Sequence, residues 1–238
     1  MTPKILAYIP ARAGSTRIRN KNIKKFLGKP LIAYTIEQAR SCDFVDRVIV
    51  DTDSEKIARI AKKYGAEVPW LRPQKFARDN SKVMDAILHF LARLQREQNY
   101  VPDYLMILQT TSPLREQEDI LRCWKAMKGS RATSVLTVTP THPRLYHLSA
   151  DQYTVLVNGS EVGSSNAQSW PDAYLLNGSV YIIHLPALLK EKRAITRKNK
   201  AVIMPKWRSL DIDIPEEWVM AELFYKHKKQ INAQLKKF

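Results

Sequence analysis

The sequence predicts an α/β protein built on a mostly parallel sheet. Three observations carry that expectation. Short β-rich apolar runs alternate with longer stretches of helical period, the signature of βαβ units. The clearest helical stretch places Val83, Ala86, Ile87, Phe90, Leu91 and Leu94 at i, i+3, i+4, i+7, i+8 and i+11, a single core-facing stripe. With 238 residues and 45% hydrophobic content, the chain can bury a sizeable core as one domain.

Taken in order, "ILAYI" gives a strand at Ile5–Ile9, followed by a helix at Pro30–Ser41. "RVIVD" gives a strand at Arg47–Asp51, and Asp53 or Ser54 then caps a helix at Ser54–Lys63. A strand at Glu67–Leu71 and the striped helix at Lys82–Gln98 follow, then a strand at Tyr104–Gln109. "LQTTSPLR" ends that strand, and its Ser-Pro pair leads into a helix at Glu116–Lys128. Strands at Ser134–Thr139, Leu176–His184 and Ala201–Met204 precede a last helix from Pro215 to about Lys236. Residues 140–172 break the alternation with Pro, Ser, Asn and Gly. They read as an insertion or flap rather than a sheet element.

Lys and Arg number 39 against 23 Asp and Glu, a net charge of +16 that suits anionic partners; a solvated basic surface is the alternative. Cys42 and Cys123 stand far apart, so no disulfide framework or zinc site is indicated. The apolar run Ile5–Ala11 is too short for a signal-peptide core, and no stretch approaches the roughly 20 apolar residues of a membrane span. These features place the protein in the cytoplasm.

In an open α/β sheet, ligands bind beyond the carboxyl ends of the strands. The residues found there are Arg12, Ser15, Arg17, Lys21 and Asn22; Asp51 and Asp53; Arg72; Gln109, Thr111, Ser112 and Arg115. "IPARAGSTRIRNKN" is neither a P-loop nor GxGxxG. A phosphate group would have to be held there by Arg12, Arg17 and Lys21 together with turn amides at Gly14 and Ser15. On composition alone, a solvated basic loop fits equally. In "SLDIDIPEEW", an extended Leu210–Ile214 puts Asp211 and Asp213 on one face. Two such carboxylates repel unless a cation lies between them, and Mg2+ suits the pair. Capping of the following helix would explain Asp213 but leaves Asp211 without a role.

Six stretches in this order, "IPARAGSTRIRNKN", "DTDS", "RPQKFARDNS", "LQTTSPLR", "NGSVYI" and "DIDIPEEW", span nearly the whole chain. Together they resemble the cytidylyltransferases that activate sialic acid and related nine-carbon acids. The resemblance implies a Rossmann-like nucleotidyltransferase fold, with residues 140–172 as a dimerisation insertion. It implies a reaction of CTP with an acidic nonulosonate that yields the CMP-sugar and pyrophosphate, dependence on Mg2+, and a homodimer. Neither nucleic acid nor a membrane is an implied partner. By position, the resemblance assigns Arg12 and Lys21 to the triphosphate and Asn22 to the ribose side, with Ser15 and Arg17 beside them. It places Arg72, Asn80 and Ser81 at the cytosine. Gln109, Thr111, Ser112, Asn177 and Tyr181 fall at the sugar, and Asp211 and Asp213 at the metal.

The chain departs from the pattern in three places. Thr16 stands where many members have lysine, and Arg17 is its natural replacement. Thr110 stands where proline is common, and no basic residue precedes "YLLNG" to meet the sugar carboxylate. The same chemistry on the eight-carbon acid KDO is the nearest alternative. A basic domain that binds RNA or anionic lipid without catalysis is the alternative from another class.

Overall fold

The first apolar run forms β1 (Ile5–Pro10), and Ile5 through Ile9 are all buried, as expected of a strand covered on both faces. The structure is a computed structural model and describes residues 2–78, 80–143, 145–148, 150–152, 154–157 and 171–238. β1 lies between β4 (Arg47–Asp51) and β5 (Tyr104–Leu108), parallel to both. With β6 (Ser134–Thr141), β9 (Ala173–His184) and β10 (Asn199–Ile203), these complete a six-stranded sheet in the order β10-β6-β9-β5-β1-β4. Of these six strands only β9 runs against its neighbours.

Period-two alternation along β1 sends Ile5, Ala7 and Ile9 to one face and Leu6 and Tyr8 to the other. On the first face pack α1 (Leu31–Arg40), α2 (Glu55–Lys63) and α4 (Gln117–Lys128), through residues such as Ile36, Ile57 and Trp124. On the second pack α3 (Val83–Gln98) and α5 (Leu185–Glu191). A third cluster joins Ile18, Phe26 and Leu114 to Ile212 and to Trp218 of α6 (Pro215–Leu235). That cluster brings residues near position 210 back to the loop after β1.

Several expectations need correction. Glu67–Leu71 makes only a single bridge, Glu67 to Ile49. Pro69 has no N–H for a ladder, and the next backbone bond to the β4 side comes only at Arg72, whose N–H donates to the Thr52 carbonyl at 2.7 Å. Val83 is not core: it is exposed at the start of α3 and lines a cleft. Helix α5 and the two-residue ladder of β2 (Lys25–Phe26) and β3 (Lys29–Pro30) were not foreseen. The insertion carries sheet structure after all, because β6 runs to Thr141, and β7 (Tyr146–Leu148) pairs with β8 (Thr154–Leu156) outside the main sheet. Trp170 of that segment lies outside the described residues. Among the described residues no helix is long and apolar enough to cross a membrane.

Candidate active site

A cleft of about 420 Å³ opens beyond the carboxyl ends of β1 and β5. Its basic wall is the loop after β1, and short bonds fix that loop at both ends. The Ala13 N–H donates to Asp53 Oδ1 at 2.8 Å, which ties the loop to the turn after β4. Ser54, not Asp53, caps α2, by accepting from the Ile57 N–H. At the far end, Asn22 is buried in a short 3-10 turn; its Nδ2 donates to the Arg12 carbonyl at 2.9 Å, and its Oδ1 accepts from Thr110 Oγ1 at 2.6 Å. Thr110, which stands where proline is common, thus has a use for its hydroxyl: it satisfies a buried amide that positions Arg12.

Opposite the basic loop lies the acidic segment. Residues 210–214 form no ladder strand, but Ile212 is buried and its N–H donates to the Thr111 carbonyl at 2.9 Å. Anchoring Ile212 leaves the flanking Asp211 and Asp213 directed away from the third cluster. Lys21 Nζ spans the gap, donating to the Ile212 carbonyl and to Asp213 Oδ1, each at 2.8 Å. Arg17 Nη1 meets the other Asp213 oxygen at 3.4 Å. Asp211 Oδ1 is buried without any hydrogen-bond partner. Burial pushes the Asp211 carboxyl above the usual carboxylate range; its bond with Thr111 and the charge of Lys21 oppose that rise, while Asp213 and Glu217 reinforce it.

An orphaned carboxylate oxygen beside a second carboxylate fits a hard cation with oxygen ligands. Among the described residues no group of three His, Cys, Asp or Glu is placed to hold a metal. The pair would therefore complete its coordination with phosphate oxygens of a substrate and water.

Arg12, Ser15, Arg17, Lys21, Asn22, Arg72, Gln109, Thr111 and Asp213 all line this cleft. Asn80 and Ser81 do not; Ser81 Oγ donates to the Lys75 carbonyl in the loop leading to α3. Ser112 is buried behind the cleft. Asn177 is buried too, with Nδ2 donating to Ser209 Oγ at 3.0 Å and Oδ1 accepting from Thr137 at 2.6 Å. It holds a bulge in β9, where the register with β6 shifts, to the segment carrying Asp211. At the next position Gly178 takes φ 67, and a Cβ there would come within 3.0 Å of Gln109 Oε1. Glycine thus lets Gln109 sit against the bulge. Tyr181 is buried within reach of the Asp211 charge, which, after burial itself, holds the phenol above its ordinary value.

Arg115 does not line the cleft and is not placed to meet a phosphate. It is buried and donates to Gln38 Oε1 and to the Gln109 and Ser179 carbonyls, and burial lowers its pKa to about 10. Its position after a strand was legible; the direction of its side chain was not. Sequence reasoning also missed Tyr8 and Arg208. An aromatic inside an apolar run gives no signal that its hydroxyl is used.

A basic loop after β1 facing a carboxylate pair, at the open end of a mostly parallel sheet, defines an α/β nucleotidyltransferase. Residues 6–167 match the family model described as cytidylyltransferase, and the chain belongs to that family. It is 35% identical to the CMP-N,N'-diacetyllegionaminic acid synthase of Legionella pneumophila, covering 92% of this chain and 95% of that protein. It is 30% identical to the pseudaminic acid cytidylyltransferase of Campylobacter jejuni, covering 94% and 97%. Among solved structures, a CMP:2-keto-3-deoxy-manno-octonic acid synthetase complexed with CTP superposes with TM-score 0.67 at 16% identity, over 94% of this chain and 99% of that one. A 4-diphosphocytidyl-2C-methyl-D-erythritol synthase gives TM-score 0.69 at 13% identity, with coverage of 94% and 99%. At such identities the two structures show the shared fold.

Proposed function

We propose that the protein transfers CMP from CTP to the anomeric hydroxyl of an acidic nine-carbon sugar of the legionaminic, pseudaminic or sialic type. The named relatives support the substrate class. The observation that carries the chemistry is Asp213 on the cleft wall, bonded to Lys21 and Arg17, with the buried, unpartnered Asp211 oxygen two residues before it. In the transfer, the anomeric oxygen bonds to the α-phosphorus, the bond from that phosphorus to the pyrophosphate oxygen breaks, and the hydroxyl proton is released. Asp211 and Asp213 would hold Mg2+, which when bound would supply charge neutralisation at the phosphates and lower the pKa of the attacking hydroxyl.

Arg12, Arg17, Lys21 and the Ser15 turn hold the triphosphate, so Lys21 and Arg17 exchange Asp213 for phosphate oxygens when nucleotide enters. Phosphoryl-group transfers of this kind are accelerated mainly by such positioning and electrostatics. Asn22 sets the ribose side, and Arg72, with Asn80 and Ser81 in the loop beside it, sets the base. Gln109 and Thr111 face the sugar, backed by Ser112, Asn177 and Tyr181. The reaction takes place in the cytoplasm, and both cysteines are buried as free thiols.

The test is pyrophosphate release from CTP with each of the three nine-carbon acids and with KDO. Turnover with at least one nine-carbon acid, well above that with KDO, is expected. No turnover with any of the three, or a preference for KDO, overturns the reading.

The active protein is a homodimer in this proposal. Tyr146 and Leu148 within the insertion and Tyr174, Leu175 and Leu176 just after it are exposed apolar side chains that a second copy can cover. Light scattering at assay concentration should give about twice the 27.5 kDa chain mass. Leu176→Asp should shift the protein to monomer and lower turnover. A fully active monomer of the unmodified chain rules the arrangement out.

A further inference from the structure

Beneath the base-binding end of the cleft, three polar side chains are buried together. Tyr8 comes from β1, Asp51 from the end of β4, and Arg72 from the segment after the Glu67 bridge; none is more than 8% exposed. The Tyr8 hydroxyl donates to Asp51 Oδ2, and the same oxygen accepts from Arg72 Nε at 2.8 Å. Arg72 Nη2 donates to the Asp51 backbone carbonyl at 3.0 Å and faces the Tyr8 oxygen at 3.4 Å. Nη1 takes no part in these bonds, and Arg72 lines the cleft.

One edge of the guanidinium is thus fixed by a charge-assisted pair and a phenol. A planar fork held along one edge has no freedom to turn its remaining donor. The pairing of β1 with β4 does not need this arrangement, because five consecutive backbone partners already set their register. Nor does packing need the Tyr8 hydroxyl. The Tyr8 ring lies edge-on to Phe90 with centroids 5.3 Å apart, a contact phenylalanine would keep.

We infer that Tyr8 and Asp51 are positioning residues for base selection, locking the Nε–Nη2 edge of Arg72 so that Nη1 is presented to the base in one fixed direction. The inference rests on the reading of Arg72 as the residue that meets cytosine. Cytosine offers adjacent acceptors at O2 and N3, whereas uracil carries a proton on N3. A donor that can swing finds a carbonyl of either base; a donor held opposite N3 meets an acceptor in one and a competing N–H in the other. Discrimination therefore comes from the lock as much as from the charge. Burial raises the Tyr8 phenol well above its ordinary value, so it stays a donor throughout any practical assay range.

The experiment measures dissociation constants for CTP and UTP without sugar, and KM and kcat with sugar, in Tyr8→Phe, Asp51→Asn, Arg72→Ala and the double variant Tyr8→Phe/Arg72→Ala. Tyr8→Phe should cut the preference for CTP over UTP roughly 3- to 10-fold, the effect of one hydrogen bond. It should raise KM for CTP while kcat at saturation changes little. Asp51→Asn should cut the preference further; if that variant does not fold, Tyr8→Phe alone decides. Arg72→Ala should abolish the preference, and adding Tyr8→Phe to it should change nothing more. Loss of preference in Arg72→Ala with full preference in Tyr8→Phe overturns the inference and leaves Arg72 as the base reader. An equal effect of Tyr8→Phe with and without Arg72 overturns it as well, since the hydroxyl then acts through the scaffold. Full preference in Arg72→Ala overturns the reading of Arg72 itself, and the inference with it.

Discussion

Asp211→Asn and Asp213→Asn should each lower turnover by on the order of 10²-fold or more, the scale of losing one preorganised electrostatic contact to a reacting centre. Each should leave the ligand-free fold intact. Asp211 Oδ1 is buried and unpartnered, and burial is the largest influence on its carboxyl. A neutral amide of the same shape removes that desolvation cost, so the apo variant should melt no lower than the parent. Asp213 differs because it pairs with Lys21 and Arg17. Its own side chain is 48% exposed and that of Arg17 is 66% exposed. A screened pair such as Arg17–Asp213 contributes about 0–1 kcal/mol, and Lys21, only 14% exposed, keeps its bond to the Ile212 carbonyl when the Asp213 charge is lost. Both variants should also need more Mg2+ for half-maximal rate. Near-normal turnover in both folded variants would remove the metal assignment.

The pair shows how far sequence reasoning reaches. Period two around Ile212 was legible, and it survives as burial of Ile212 although no strand forms. That Lys21 would touch Asp213, 192 positions away, was not legible from spacing; it depends on the third cluster folding α6 back over the loop. Strands β1, β4 and β5 could be read because each holds a run of apolar β-formers, and β6 because Val and Thr, both β-branched, dominate it. The Glu67–Leu71 run misled because Pro69 was outvoted by its apolar neighbours, yet one missing donor ends a ladder.

Among the candidate site residues, Arg12 and Lys21 after β1 and Gln109 after β5 line the cleft as their positions beyond strand ends suggest, and Arg72 lines it too although the run before it forms no strand. The rule that strand ends carry the chemistry failed for Arg115, which occupies the same kind of position and points inward to bond backbone carbonyls. Thr110 and Tyr8 escaped for a related reason. Their hydroxyls act on Asn22 and Asp51, partners distant in sequence, and a single chain carries no mark of such pairings.

Arg208→Ala should have the largest effect on stability, about 3–5 kcal/mol, the usual cost of removing one partner from a buried ion pair. Arg208 is 9% exposed and sits after β10. Its Nη2 donates to Asp119 Oδ1 at 2.8 Å and its Nη1 to Glu116, the residue that caps α4. Asp119 is fully buried, and its other oxygen accepts from the Glu116 N–H at 2.9 Å. Without Arg208 its carboxylate would remain in the interior with no countercharge bonded to it. At roughly 2–4 °C per kcal/mol for a chain of this size, the melting temperature should fall by about 10 °C. The sign with pH follows from the carboxyl itself. Burial already holds the Asp119 carboxyl above its usual range, against the pull of Arg208, and loss of Arg208 raises it further. The deficit is therefore complete above that raised pKa and shrinks as pH falls through it, because a protonated Asp119 needs no cation. Adding Asp119→Asn should recover much of the lost stability near neutrality, whereas Arg208→Lys should recover little, since one ammonium lacks the fork that reaches both carboxylates. Turnover should fall in Arg208→Ala even below its melting point, because Ser209 follows directly and accepts from Asn177, and Asp211 is two residues further on. Thermal melts of the single and double variants in neutral and mildly acidic buffer decide the matter: an Arg208→Ala protein that melts with the parent would show that Asp119 needs no partner.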